Sequence, residues 1–148
     1  MNEVDNFLSE VIPQLRQEIA ALRNGTAEPR KALWSHRDPV TLFGAELSGH
    51  GWSEIEPVFD RLAASFSGSQ SCDYEVVGAG VSGDLGYLAA IERSVAASQG
   101  GEPQHYALRV TIVFRREGGA WKVVHRHGDP LDDSARDLLA ARREEQAL

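Results

Sequence analysis

The sequence is poor in sulfur, aromatic rings and positive charge: one cysteine, one methionine, 7% aromatic residues in 148, and 15 basic side chains against 22 acidic ones. The lone Cys72 has no partner for an internal disulfide. A chain of this length buries roughly 70% of the surface it exposes when unfolded, so it needs neither a covalent staple nor a structural metal to hold a core. The formal net charge of −7 opposes nucleic acid as a partner, because binding to a phosphate backbone rests on a basic surface. No apolar run approaches the ~20 residues of a membrane span, and no charged-then-apolar leader opens the chain. The expectation is a single domain over 1–148 in a reducing cytoplasm, with no nucleic-acid and no membrane partner, and with 132–148 as a C-terminal helical tail.

What is present is a clear switch of periodicity. Phe7, Leu8, Val11, Ile12, Leu15, Ile19 and Leu22 fall at three-and-four spacing and predict a first helix. Pro13 should kink it or mark its true start, and Asn24-Gly25 should end it. A short helix is expected across Arg30 to Ser35, closed by Asp38-Pro39. Val40 to Phe43 reads as a strand and Ser48 to Gly51 as a loop. Ser53 and Glu56 match a capping box, with Trp52 placed to staple onto Pro57, and the stripe from Ile55 to Phe66 predicts another helix. Ser67-Gly68-Ser69 should break it.

From Tyr74 onward the chain reads as sheet: Tyr74 to Val77, Leu85 to Val95, Tyr106 to Arg116 and Trp121 to His127, with Glu117-Gly118-Gly119 as a hairpin turn. Gly78-x-Gly80-x-x-Gly83 matches the dinucleotide fingerprint in letters only, because no helix opens at the third glycine. A glycine-rich turn is the better reading, and no cofactor is expected. Helices followed by an antiparallel sheet make an α+β fold, and a cleft between the two layers is a favoured place for a pocket.

The residues Leu33 to Gly44, Gly51-Trp52, Gly83-Asp84, Ile91-Glu92-Arg93, Leu108 to Thr111 and above all Trp121-Lys122-Val123-Val124-His125-Arg126-His127 resemble the SnoaL-like, ketosteroid isomerase-like branch of the nuclear transport factor 2-like superfamily. The resemblance implies a cone-shaped barrel of curved, mostly antiparallel sheet around N-terminal helices. It also implies a homodimer and an apolar cavity for a small apolar or aromatic ligand. It implies no single reaction, since the superfamily includes isomerases, cyclases, hydrolases and assembly domains. Where relatives that isomerise steroids carry a carboxylate base this chain has Gly44, and its first helix lacks their tyrosine. The resemblance further makes Trp34 a pocket wall and Asp38 an acid/base group, although a turn or cap role before Pro39 explains Asp38 equally.

Alternation puts Arg109, Thr111 and Val113 on one face of their strand, and groups Trp121, Val123, His125 and His127 on one face of the last. His125 and His127 are the acid/base candidates, because imidazole titrates near neutral pH. Arg109 would steady a developing oxyanion, and Glu92 would pair with it if that face turns inward. Trp52 and Tyr87 join Trp34, Glu92 and Thr111 as candidate pocket residues. His125-x-His127-x-Asp129 aligns three ligand-type side chains, but no further cluster stands at motif spacing and no metal is expected. The expected function is therefore a small-molecule pocket protein, with two readings open. One is a cofactor-independent isomerase, cyclase or dehydratase acting on an apolar carbonyl compound; the other is a non-catalytic ligand-binding or oligomeric assembly module.

Overall fold

The computed structural model of the chain describes residues 2–45, 47–98 and 101–131. The expected C-terminal helix in 132–148 lies outside them. Along the chain run α1 (Glu3–Arg23), α2 (Glu28–Leu33), β1 (Thr41–Phe43), β2 (Ser48–His50), α3 (Trp52–Ser65), β3 (Phe66–Ser82), β4 (Leu85–Ser98), β5 (Gln104–Glu117) and β6 (Ala120–Pro130).

The predicted stripe of α1 is its buried face: Phe7, Val11, Leu15, Ile19 and Leu22 are all nearly sealed from solvent. The Asn2 side chain accepts from the Asp5 backbone N–H at 2.8 Å and so caps the first turn. At the other end Gly25 takes φ +96°, the left-handed conformation that stops a helix. Pro13 sits inside α1 on its exposed side. The helix continues through it because the carbonyl left without a donor faces water. Helix α3 has no capping box. Gly51 is its N-cap without a side-chain bond; Asp38 Oδ1 accepts instead from the first helical N–H, Trp52 N, at 3.0 Å, and Glu54 Oε1 reaches back to His50 N, ahead of the cap, at 2.9 Å.

The strands form one sheet of order β2-β1-β6-β5-β4-β3. All neighbours are antiparallel except β1 and β6. The sheet curves over the helices but keeps two free edges, β2 and β3, and does not close into a barrel. Its inner face carries Leu88, Ala90, Val110, Ile112, Phe114, Trp121 and Val123 against the helices. No helix among the described residues is long and apolar enough to cross a membrane.

Helix α3 ends before Ser67-Gly68-Ser69 as expected, and that stretch already belongs to β3. One stretch read as a turn is strand: Gly78 to Ser82 pairs with Leu85 to Ala89 as the far end of β3, with the turn itself at Gly83-Asp84. Tyr87 explains one of these glycines: a Cβ at Gly80 would lie 2.6 Å from its ring. Ser48 to His50 likewise pairs with β1 rather than forming a loop.

Gly86 is a second close approach, and it yields a test of the α1–sheet contact. A Cβ there would lie 2.9 Å and 3.1 Å from the ring of Phe7, which packs edge-to-face on Phe114 and Trp121 at 5.3 and 5.0 Å. Gly86→Ala is expected to destabilise the fold by about 1–3 kcal/mol through overpacking. Chemical denaturation measures it, and an unchanged midpoint would show that Phe7 has room to move.

Candidate functional site

Between the helices and the inner sheet face lies a cavity of about 70 Å³. Helix α1 contributes Ile19, Leu22 and Arg23, α2 contributes Arg30, and α3 contributes Leu62. Leu42, Gly44, Ala45 and Leu47 close it from β1 and the following loop, and Phe66, Glu92, Tyr106, Leu108 and Arg126 from the sheet. Pockets for drug-sized ligands run to roughly 300–1,000 Å³, so this volume suits a ligand of few heavy atoms.

Charge sits in this apolar setting. Glu92 is completely buried and accepts from Arg126 Nη2 at 3.1 and 3.3 Å, from Arg23 Nη2 at 3.3 Å and from the Tyr74 hydroxyl at 2.7 Å. Arg23 also donates to the Ser94 hydroxyl, and its guanidinium lies over the rings of Tyr106 and Phe66 at 5.0 and 5.6 Å. Beside this network Arg30 and Glu18, both buried, form a pair of their own.

Burial alone would raise the Glu92 pKa, but Arg126, Arg23 and the Tyr74 hydroxyl outweigh it and hold the carboxyl at about 2. For Arg126 burial is in turn outweighed by Glu92, and for Arg23 by Tyr106 and Glu92, so both pKa values rise and both guanidiniums stay charged. Burial, with Glu92 next, pushes the Tyr74 phenol well above its usual range. Two buried donors nevertheless lack an acceptor among the described residues: Arg23 Nε and Arg126 Nη1.

Of the residues singled out from sequence, Glu92 lines this cavity, and so does Tyr106, whose hydroxyl the strand pattern could also place there. The reason for the histidines is a β-bulge. Val113 pairs with His125 and Phe114 with Val123, so Val124 is an extra residue that breaks the alternation. Trp121 and Val123 therefore face inward, whereas His125 and His127 share the outer face with Arg109 and Thr111, and Arg126 turns in. Glu92 accordingly meets Arg126 and not Arg109, whose own bonds go to Asp129 at 2.9 and 3.1 Å.

The outer face does bring some of the candidates together. Arg109, Thr111, His127 and Asp129 line an open groove of about 320 Å³ with Val77, Ala89 and Ile91. His125 lies alongside, its Nδ1 2.7 Å from Thr41 Oγ1, and the Phe43 ring stands edge-on to both imidazoles at 5.6 Å. Burial and then His127 lower the His125 pKa, which favours the neutral ring. Tyr87 is exposed further along the same face.

The remaining candidates are placed apart. Asp38 caps α3, Trp52 stacks on His36 at 4.0 Å, and Trp34 is core, edge-on to Phe59 at 5.1 Å. No group of three or more His, Cys, Asp or Glu side chains among the described residues is arranged to hold a metal ion.

Sequence reasoning missed Glu18, Arg23, Arg30, Tyr74 and Arg126. Two of these left a trace. Glu18 stands three residues after Leu15 and four before Leu22, on the helical stripe, and Arg126 alternates with the two histidines.

Comparison with known proteins follows this geometry. A family model described as a SnoaL-like domain matches residues 14–132. A solved nuclear transport factor 2-like superfamily protein from Salmonella enterica serovar Typhimurium is 17% identical over 85% of this chain and 92% of its own, with a TM-score of 0.70. A ketosteroid isomerase-like protein from Erwinia carotovora atroseptica is 14% identical over 89% and 99%, with a TM-score of 0.68. An NTF2-like protein of unknown function from Pseudomonas putida is 22% identical over 86% and 89%, with a TM-score of 0.65. At such identities the likeness is one of fold. A search of curated proteins returns no match.

Proposed function

The chain belongs to the SnoaL-like domain family, and from that premise we propose that it is a small-molecule pocket protein whose ligand occupies the cavity around Glu92. The observation that carries this reading is the charged network on an otherwise apolar wall, which gives a ligand both a surface to bury and groups to orient it. Binding is favoured over proton transfer at this site. A carboxylate held at about 2 is a poor base near neutral pH, and paired guanidiniums do not release protons.

Native mass spectrometry of the purified protein tests the reading. The expected spectrum holds an organic mass that is released by denaturation. A bare protein that also fails to shift its melting temperature with any member of a small-molecule panel would overturn it.

Acid/base isomerisation, cyclisation or dehydration of an apolar carbonyl compound has a specific support of its own, the outer groove that gathers His127, Arg109 and Thr111 beside His125, whose pKa is lowered. On this second reading His127 or His125 moves the proton and Arg109 holds the oxyanion.

Homodimerisation, which we propose for the same face, competes with that chemistry for the surface. Phe43, Leu85 and Tyr87 are exposed there, next to the self-complementary charges of Arg109 and Asp129. A second copy seated on these residues would cover the groove. Light scattering on Tyr87→Glu separates the two: conversion from twice the chain mass to a monomer supports the dimer, and an unchanged mass leaves the groove open to substrate. A cytoplasmic location completes the proposal and agrees with the free thiol of Cys72.

A further inference from the structure

We propose that the cavity takes an organic anion, a small monocarboxylate whose oxygens bind Arg23 and Arg126 and whose apolar body lies on Ile19, Leu42 and Leu62. The inference rests on the pocket reading above and narrows it to a ligand class.

The buried charges do not balance among the described residues. Around the cavity the described residues bury three guanidiniums, Arg23, Arg30 and Arg126, and two carboxylates, Glu18 and Glu92. Arg30 and Glu18 form one closed pair. Among the described residues Glu92 alone then faces two arginines, which leaves one buried positive charge without a described counter-ion. Such an excess is stable only when an anion completes it.

Hydrogen bonding points to an anion independently of that count. Both arginines that share Glu92 keep a buried N–H with no acceptor among the described residues, Nε of Arg23 and Nη1 of Arg126, and both residues line the cavity. A guanidinium presents its donors in a plane that matches the two oxygens of a carboxylate. Neutral carbonyl compounds supply an acceptor but not the charge. Inorganic anions supply the charge but leave the aliphatic wall wet. An organic carboxylate meets both requirements, and the cavity volume of about 70 Å³ limits it to a small one.

Calorimetric titration with propionate and benzoate, each against its amide, propionamide or benzamide, tests the assignment on the full chain. The acids are expected to bind at least about tenfold more tightly than the amides. Arg23→Met, which leaves Glu92 paired with Arg126 and Tyr74, is expected to erase that preference while amide binding persists, and Arg23→Lys to restore part of it. Thermal melting confirms that each variant is folded.

Amides that bind as well as the acids would overturn the anion assignment and leave the pocket standing. Phosphate or chloride competing on equal terms with benzoate would overturn its organic character. If no probe binds at all, the pocket reading itself falls. Glu46 follows Ala45 and precedes Leu47, both of which line the cavity, so Glu46→Gln is the last arm. Acid binding seen only in that variant would make the chain's own carboxylate the counter-ion and end the proposal.

Discussion

Glu92→Gln is expected to lower the unfolding free energy by about 3–5 kcal/mol, out of the roughly 5–15 kcal/mol that a domain has in total. The amide keeps the shape and can still accept from Tyr74, so the change isolates the charge. Two buried guanidiniums, Arg23 and Arg126, then have no counter-ion among the described residues except the distinct Glu18–Arg30 pair. The penalty comes from stranding them and not from the intrinsic worth of the ion pair. Replacing the whole unit, Glu92→Leu with Arg23→Met and Arg126→Met, should therefore regain most of the loss. Urea denaturation of the two variants decides it. A Glu92→Gln protein within about 1 kcal/mol of the parent would mean that the arginines escape to solvent.

The same residue sets an acid limit, with a definite sign. Its folded pKa of about 2 lies below the ordinary 4.5. Its contribution to stability is thus fully present above pH 4.5 and is lost as the pH falls through 2. The shift corresponds to about 3 kcal/mol over that window. Glu92→Gln should flatten this part of the stability–pH curve, and a parent curve already flat between pH 4.5 and 2 would contradict the assigned ionisation.

The contrast between what the chain announced and what it concealed follows from where each interaction is encoded. Helix α1 was readable because its stripe is local: Phe7, Val11, Leu15, Ile19 and Leu22 recur with the helical period and all are buried. The alternation of β5 was readable for the same reason, with Leu108, Val110, Ile112 and Phe114 inside. The faces of β6 were not, because Val124 looks like any strand valine and only its unpaired place opposite Val113 and Phe114 makes it a bulge. The first half of β3 lacks β-branched residues and is a strand because β4 pairs with it along its length.

The candidate site was legible at Glu92 and Tyr106, and its buried charges were not. Buried arginine runs against every compositional expectation. Arg23 and Glu92 are 69 residues apart and Glu92 and Arg126 are 34 apart, so no local pattern announces them. The bulge that hid the histidines' direction also hid Arg126. One extra residue exchanged the occupants of the two faces, sending the titratable pair outward and a permanent cation inward.

Phe59→Ala is expected to cost about 3–5 kcal/mol and to act on the site as well as on the fold. The ring is fully buried and holds three groups at once: Trp34 edge-on at 5.1 Å, Trp52 at 6.2 Å and the Arg30 guanidinium 5.4 Å above its face. Aromatic pairs of this geometry contribute beyond the area they bury, and Arg30 loses a face that helps hold it against Glu18. Two of the chain's three tryptophans pack on this one ring. Intrinsic fluorescence therefore reports the change directly, while denaturant unfolding gives the free energy. The expected signature is a red-shifted emission in the native state together with the lower midpoint. A loss below about 1.5 kcal/mol with unshifted emission would mean that α3 settles into the space, as sites able to collapse do. Helix α3 would then be held chiefly by Ile55 and Val58 rather than by its aromatic contact with Trp34.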